Sequence, residues 1–213
     1  MHKGIYMNYK LTEKEEEIDF FGWTTLFVYD LFTKRNNLSE IKSKVLKHTA
    51  KKHGKGSDLY IFTEKYIENT FNLLVEDNEK CLNAAKTMCC YLAVITAKKV
   101  VNTREVKQNY KLKHTLSELK RIGCNLGIFN ESIFTSHTKD DVQANDQLLI
   151  DEIKRHEDKI SDENELSAES CLKLMNVTEK VILHRQKADR QGAKNTMILW
   201  GVIVGIIVFA FAA

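Results

Sequence analysis

The stretch from Glu79 to Val101, EKCLNAAKTMCCYLAVITAKKVV, decides the fold of this chain. Its middle, Met88 to Ile95, is apolar on every side, and flanking lysines limit the apolar run to one buried segment too short to span a bilayer. A helix without a polar face is normally enclosed by other helices. Eight residues would also suit a buried strand, but the long helical flanks favour a helix. We therefore expect an all-α fold, a helical bundle around a central apolar helix at about residues 79–101.

Amphipathic segments on both sides of this stretch supply the enclosing helices. Thr12 and Glu15 have the spacing of a capping box at the start of an aromatic first helix. Residues 53–57 predict a flexible basic turn before a third helix, and Thr103 is a candidate cap for a basic helix that ends at Gly123 or Gly127. The chain contains no proline among 213 residues, which agrees with helix throughout.

The apolar run from Met197 to Ala213, MILWGVIVGIIVFAFAA, predicts a C-terminal transmembrane helix. At ~1.5 Å per residue it reaches about 25 Å, enough for a thin bilayer. The basic flank before it places the rest of the chain in the cytosol, as a tail-anchored protein. A buried C-terminal helix is the alternative. Gly201 and Gly205 have the spacing that lets two membrane helices pair as a homodimer, unless they simply face lipid.

These patterns divide the chain into four parts. Residues 1–11 form a flexible lead-in, and residues 12–135 form the helical bundle. Residues 136–196 form an acidic helical extension and stalk, and residues 197–213 form the tail anchor.

Charge and composition exclude several kinds of function. The net charge is only +3, and the segment 34–55 holds eight basic residues and one acidic residue, without interleaved aromatic side chains. This arrangement argues against nucleic-acid binding and favours mutual packing or solvated faces. The five cysteines contain no CxxC pair, so we expect buried thiols rather than a metal site. No catalytic constellation is found, and we expect a binding protein, not an enzyme, without a cofactor.

The order of parts resembles the B-cell lymphoma two family of apoptosis regulators. Residues 71–78, FNLLVEDN, are similar to the lead-in to that family's central helix, and residues 89–102 resemble its apolar part. Residues 125–129, NLGIF, loosely resemble the family's Gly-Gly-Trp segment. The Asn-Trp-Gly-Arg signature is absent, with residues 79–82, EKCL, near its place, and no Leu-x-x-x-Gly-Asp motif occurs in the second helix. The extension over residues 138–196 is longer than the family's pattern.

The resemblance implies a regulator of apoptosis on the cytosolic face of the mitochondrial outer membrane or the endoplasmic reticulum. It further implies a surface groove that binds amphipathic helices of other apoptosis regulators, with lysines that pair with an acidic residue of the ligand. The acidic stretch 139–169 could fold over this groove as a lid. The alternative is that the apolar candidates only fill the core. The groove candidates are Val45, Tyr66, Phe71, Leu74, Leu82, Lys80 and Lys86.

A second functional class remains open from the sequence. A SNARE-like tether or fusion factor also joins regulatory helices to a coiled coil and a tail anchor. Several apolar residues in the segment 142–185 fit a heptad frame, but charged and polar residues occupy the same frame.

Overall fold

The computed structural model describes residues 11–33, 38–76, 78–103, 105–130, 145–160 and 167–212, and within this part of the chain every regular element is an α-helix. The prediction of an all-α fold is confirmed for these residues. The predicted lead-in lies outside them except for Leu11. The helices are α1 (Glu13–Thr33), α2 (Leu38–His53), α3 (Asp58–Glu76), α4 (Asn78–Asn102), α5 (Val106–Asn125), α6 (Asp146–Ile160) and α7 (Ala168–Ala212).

Helix α4 is the central helix that the sequence predicts, longer by one residue at each end. It packs against α1, α3, α5, α6 and α7. The apolar segment is buried because these neighbours leave it no solvent face, as Leu92, Ala93 and Ile95 show. The main core therefore forms around α4, with Leu26 of α1 and Leu119 of α5 among its members.

The predicted capping box starts α1. The Thr12 backbone N–H donates to Glu15 Oε2 at 2.9 Å, and the Glu15 N–H donates to Thr12 Oγ1 at 3.2 Å. The prediction that Thr103 caps α5 is wrong, because Glu105 occupies the N-cap position of this helix. The Thr103 hydroxyl donates instead to the Gln108 side chain at 3.3 Å. The Thr103 hydroxyl thus bonds to a side chain of α5 instead of accepting a bond from a backbone N–H of its first turn.

Gly123 and Gly127 play different parts at the end of α5. Gly127 has φ +68°, a conformation that favours glycine, and its N–H donates to the Cys124 carbonyl at 2.9 Å. Gly123 lies within the helix, where the ring of Phe129 packs directly on its backbone. The chain can therefore fold back at Gly127 and bury Phe129 against the helix that it has just left.

The first turn of α5 buries a polar residue in place of an aromatic one. The spacing of apolar residues in the sequence predicts Tyr110 on the buried face, but Tyr110 is 61% exposed, whereas Asn109 is 1% exposed. Leu112, Leu116 and Leu119 continue the buried face at spacings of three and four residues. The three leucines set the buried face, and Asn109, three residues before Leu112, falls on the same face.

A second, smaller core joins α1, α2 and α3. Its buried members are Val28, Val45, Leu46 and Ile67. Helices α2 and α3 form a pair that packs mainly on α1, away from most of the main core.

The predicted boundary between a bundle ending at residue 135 and an acidic extension does not correspond to separate cores. Leu149 and Ile153 of α6 and Leu174 and Val181 of α7 are all buried in the main core against α4. These residues also supply the heptad frame of the tether alternative, so in this structure that frame faces the protein's own interior. A lid over a groove is likewise not observed for residues 146–157, since α6 packs on α4 and α7.

Helix α7 continues without interruption through the predicted stalk, from Ala168 to Ala212. Arg185 is fixed against the bundle, where its Nη1 donates to the carbonyls of Val100 and Thr103, both at 2.7 Å. Side chains 187–198 are exposed, and those of 199–213, which include most of the predicted anchor and the Gly201–Gly205 pair, lie outside the described side chains. In the described part of the chain, no helix has the length and apolar character needed to cross a membrane.

Candidate functional site

An open cleft of about 980 Å³ lies where the first half of α1 meets the end of α2 and the start of α3, with contributions from α4 and α5. Its walls combine aromatic side chains with carboxylates and histidines. The aromatic residues in its lining are Phe20, Phe21, Trp23 and Phe62, and the histidines are His48, His53 and His114.

The aromatic wall is a continuous group of rings from two helices. The rings of Phe21 and Phe62 have centroids 4.5 Å apart, and Phe21 lies 5.5 Å from Tyr66. Phe20 meets Phe21 edge to face at 5.1 Å, and His53 also lies edge to face on Phe20 at 5.5 Å. Phe62 remains 48% exposed despite these contacts. The wall therefore presents apolar surface to solvent at the mouth of the cleft.

Close packing of α1 on α4 orients this wall. A Cβ atom added to Gly22 would lie 2.8 Å from Met88 Sδ and 3.2 Å from Leu92 Cδ1, so Gly22 allows the two helices to approach. With the Gly22 side of α1 against α4, the neighbouring Phe20 and Phe21 reach the cleft.

The turn between α2 and α3 completes the cleft. Gly54 and Gly56 have φ values of +92° and +87°, which confirms the predicted turn and favours glycine at both positions. The Ser57 hydroxyl then accepts a bond from the Tyr60 N–H at 3.2 Å and starts α3. His53 at the end of α2 and Asp58 at the start of α3 are thereby placed in the lining.

Carboxylates dominate the charge of the lining. Asp19 forms an ion pair with Lys99, and Glu118 forms one with Arg121 at 2.9 Å. The remaining four carboxylates form no ion pair with another described residue. These four are Glu13, Glu16 and Glu17 of α1 and Asp58 of α3.

Four of the sequence-predicted groove residues have described side chains, and they do not line one surface. Val45 is 5% exposed in the smaller core, and Leu82 packs on the main core. The Tyr66 hydroxyl is hydrogen-bonded to Thr25 Oγ1, so it joins α3 to α1. Lys86 is exposed on α4. Val45 therefore packs in the interior.

The other three candidates, Phe71, Leu74 and Lys80, lie in helices α3 and α4, but their side chains are outside those described. The predicted membrane pair, Gly201 and Gly205, lies in α7 in the same situation.

Sequence reasoning did not find the cleft, although one signal was present. The wide aromatic face of α1 contains more rings than one contact with α4 can bury, and Phe20 and Phe21 belong to this excess. The carboxylates at Glu13, Glu16 and Glu17 suit the positive end of the helix dipole, so their sequence pattern alone does not indicate a cleft. Phe62 carries no comparable signal, because its exposure depends on how α3 packs on α1.

The histidines and carboxylates of the cleft come from several helices. These helices are α1, α2, α3 and α5. Among the described residues, no group of three or more His, Cys, Asp or Glu side chains is placed to hold a metal ion.

Comparisons of this chain with models of protein families, with curated proteins and with solved structures find no match.

Proposed function

We propose that this chain is a tail-anchored helical bundle that binds an amphipathic helix of a partner protein in the cleft between α1 and α3, and that it regulates apoptosis through this binding. The sequence resemblance to apoptosis regulators supports the biological role. The cleft supports the binding role. The proposal moves the binding surface from the residues expected around Val45 to the aromatic wall around Phe62.

The observation that carries the proposal is the exposed aromatic wall. Phe62 lines the open cleft and is 48% exposed. A helix that binds in a groove inserts apolar side chains spaced three and four residues apart. Burial of a large apolar side chain contributes about 1.5–3 kcal/mol, so a few such insertions would provide useful affinity.

The membrane part of the proposal concerns residues 197–213. Their sequence supports insertion into the mitochondrial outer membrane or the endoplasmic reticulum, with the bundle on the cytosolic face. Pairing through Gly201 and Gly205 would bring two bundles together on that face.

The test is a binding titration with the full chain in nanodiscs. Fluorescently labelled helical peptides from apoptosis regulators are titrated against the wild type and against Phe62→Ala. We expect the substitution to weaken binding at least about tenfold, equivalent to about 1.4 kcal/mol. Tyr110→Ala is the matched control, because Tyr110 is also an exposed aromatic residue but does not line the cleft.

We expect the control to change affinity less than about twofold. The absence of binding by any of the peptides would contradict the apoptotic role. Equal affinities for wild type and Phe62→Ala would remove the cleft as the binding surface.

A further inference from the structure

The cleft carries its charge and its apolar surface on one stripe of α1. Glu16 and Glu17 lie three and four residues after Glu13, and Phe20 lies four and three residues after them, so the four share one face of the helix. All four line the cleft. A ligand lying along this stripe would meet carboxylates at one end and aromatic rings at the other.

We propose that the ligand of the cleft is a basic amphipathic helix, with lysine or arginine residues toward the start of α1 and aliphatic or aromatic residues against Phe20, Phe21 and Phe62. This inference rests on the proposed helix-binding function and specifies the chemistry of the partner. It reverses the charge that the family resemblance implies, where lysines of the bundle meet an acidic residue of the ligand.

The carboxylates of this stripe are not required by the helix itself. Thr12 and Glu15 already form the capping box that satisfies the first turn of α1. The Glu15 carboxylate forms a partly buried ion pair with Lys98 and does not line the cleft. The N-terminus of a helix carries about half an elementary positive charge. Glu13, Glu16 and Glu17 together carry more negative charge than is needed to balance it.

The positive charge within the lining is already engaged. Lys99 is the single lysine or arginine in the described lining, and it is paired with Asp19. An incoming ammonium or guanidinium group therefore meets carboxylates without competing for them with a resident lysine. The aromatic faces beside the carboxylates provide further attraction for a cation, since an aromatic ring attracts a cation placed over its face.

The exposed aromatic wall is an observation independent of the charges, and it points to a helix rather than a simple counter-ion. A free metal or polyamine would use the carboxylates alone and leave Phe62 in water. An amphipathic helix about 10 Å across can cover Phe62 and reach Glu16 and Glu17 at the same time. The cleft therefore matches a ligand that combines both chemistries.

The test uses the full chain in nanodiscs of zwitterionic lipid, which do not attract basic peptides themselves. The probe is an 18-residue helical peptide with lysines on one face and leucine and tryptophan on the other. Its partner probe carries glutamates in place of the lysines on the same apolar face. We expect the basic peptide to bind at least about tenfold more tightly than the acidic one, and its affinity to fall as salt is raised.

Two variants separate the cleft from general electrostatics. Glu16→Lys combined with Glu17→Lys is expected to weaken binding of the basic peptide at least about tenfold and to favour the acidic peptide. The control combines Glu169→Lys with Asp189→Lys, which changes the net charge equally at exposed positions of α7. Glu16→Gln with Glu17→Gln keeps the side-chain size and should weaken binding by a smaller factor, which guards against a folding defect.

Tighter binding of the acidic peptide, or equal effects of the cleft and control variants, would overturn the proposal. Residues 1–10 provide the other occupant, since they carry Lys3 and Lys10 and lead directly to Leu11 in the lining. If deletion of residues 1–10 is what permits peptide binding, and a synthetic 1–10 peptide competes, the chain's own segment is the ligand and the partner proposal is wrong.

The two proposals fail in different ways. If Phe62→Ala abolishes binding of both probes while the charge variants change nothing, the helix-binding function stands and the basic ligand is wrong. If neither probe nor any apoptotic peptide binds, both proposals are wrong.

Discussion

The Nζ atom of Lys98 lies 2.5 Å from Glu15 Oε1 and 2.6 Å from Glu157 Oε1, so one buried ammonium group joins α4 to α1 and α6. The Lys98 side chain is only 10% exposed, on the same helix as the apolar centre of the fold. A buried charge is tolerated when partners compensate for its lost hydration. Lys98 therefore fixes how three helices meet, although its sequence position suggested only a limit to the apolar run.

Replacement of Glu15 by Gln should lower stability in a pH-dependent way. Burial raises the pKa of the Glu15 carboxyl, but hydrogen bonds from Lys98 and Thr12 outweigh it and hold the pKa below 4.5. Glu15 thus stabilises the fold above about pH 4.5, and this contribution is lost as the pH falls through the lowered pKa. We expect Glu15→Gln to cost about 1–2 kcal/mol at pH 7 and progressively less as the pH falls through the lowered pKa of Glu15, measured by urea unfolding of residues 1–196.

Lys98 sets the upper end of the pH range in which these ion pairs stabilise the fold. Burial lowers the pKa of its ammonium group, and the hydrogen bonds to Glu15 and Glu157 outweigh that effect and raise the pKa above 10.5. The contribution of Lys98 to stability is complete below pH 10.5 and disappears as the pH rises through the raised pKa.

Glu68→Gln is the control for Glu15→Gln, because the more exposed Lys42–Glu68 pair should contribute under about 1 kcal/mol to stability. A loss for Glu15→Gln that is independent of pH would contradict the ion-pair explanation.

Replacement of Leu92 by Asp should unfold the helical bundle. Leu92 is 0% exposed at the centre of the main core. A buried carboxylate without a partner costs several kcal/mol, against a usual total stability of about 5–15 kcal/mol. Lys86→Asp, at an exposed position of the same helix, should change the melting temperature little. Circular-dichroism melts compare the two variants, and similar melting curves would remove α4 from the centre of the fold.

Replacement of Gly123 by Ala should destabilise the protein, because a Cβ atom at this position would overlap the Phe129 ring. We expect a cost of about 1–3 kcal/mol in urea unfolding, typical of overpacking. Gly192→Ala should instead stabilise by up to about 1 kcal/mol, since Gly192 is exposed within α7 and no atom lies near its added Cβ. An unchanged stability of the Gly123→Ala variant would show that the turn after α5 moves freely.

The cysteines should differ in their reaction with a thiol reagent. Burial raises the pKa of Cys89 to about 12, and a hydrogen bond to Cys90 together with complete burial raises the pKa of Cys171. Because thiolates are the reactive form, these thiols should react only on unfolding. Cys81 and Cys124 are half-buried and should be modified first, as measured by mass spectrometry after timed alkylation. Early labelling of Cys89 would mean that α4 opens readily.

Deletion of residues 197–213 should release the protein from membranes, because the remainder of the sequence has no comparable apolar run. The measurement is carbonate extraction of membranes from cells that express the full and truncated chains. A truncated chain that stays in the membrane pellet would contradict the anchor. A full chain extracted by carbonate would contradict it equally.

The central helix and the capping box could be predicted from sequence because each depends on local information. An apolar run on every side of residues 88–95 has one stable environment, the interior of a bundle. Thr12 and Glu15 contact each other within one helical turn, so their spacing contains the whole interaction. The burial of Leu149 and Leu174 in the core around α4 could not be predicted, since nothing local in the sequence reveals it.

By itself, the sequence determined that the described chain is helical, which segment is central and where α1, α3 and α4 begin within a residue or so. The tertiary structure alone decided the exposure of Tyr110 in α5, the burial of Val45 and the opening of the cleft beside Phe62. Helix formation and capping depend on residues a turn apart. The exposure of Phe62, like the partners of Lys98, depends on contacts between side chains distant in the sequence, which periodicity along one helix does not encode.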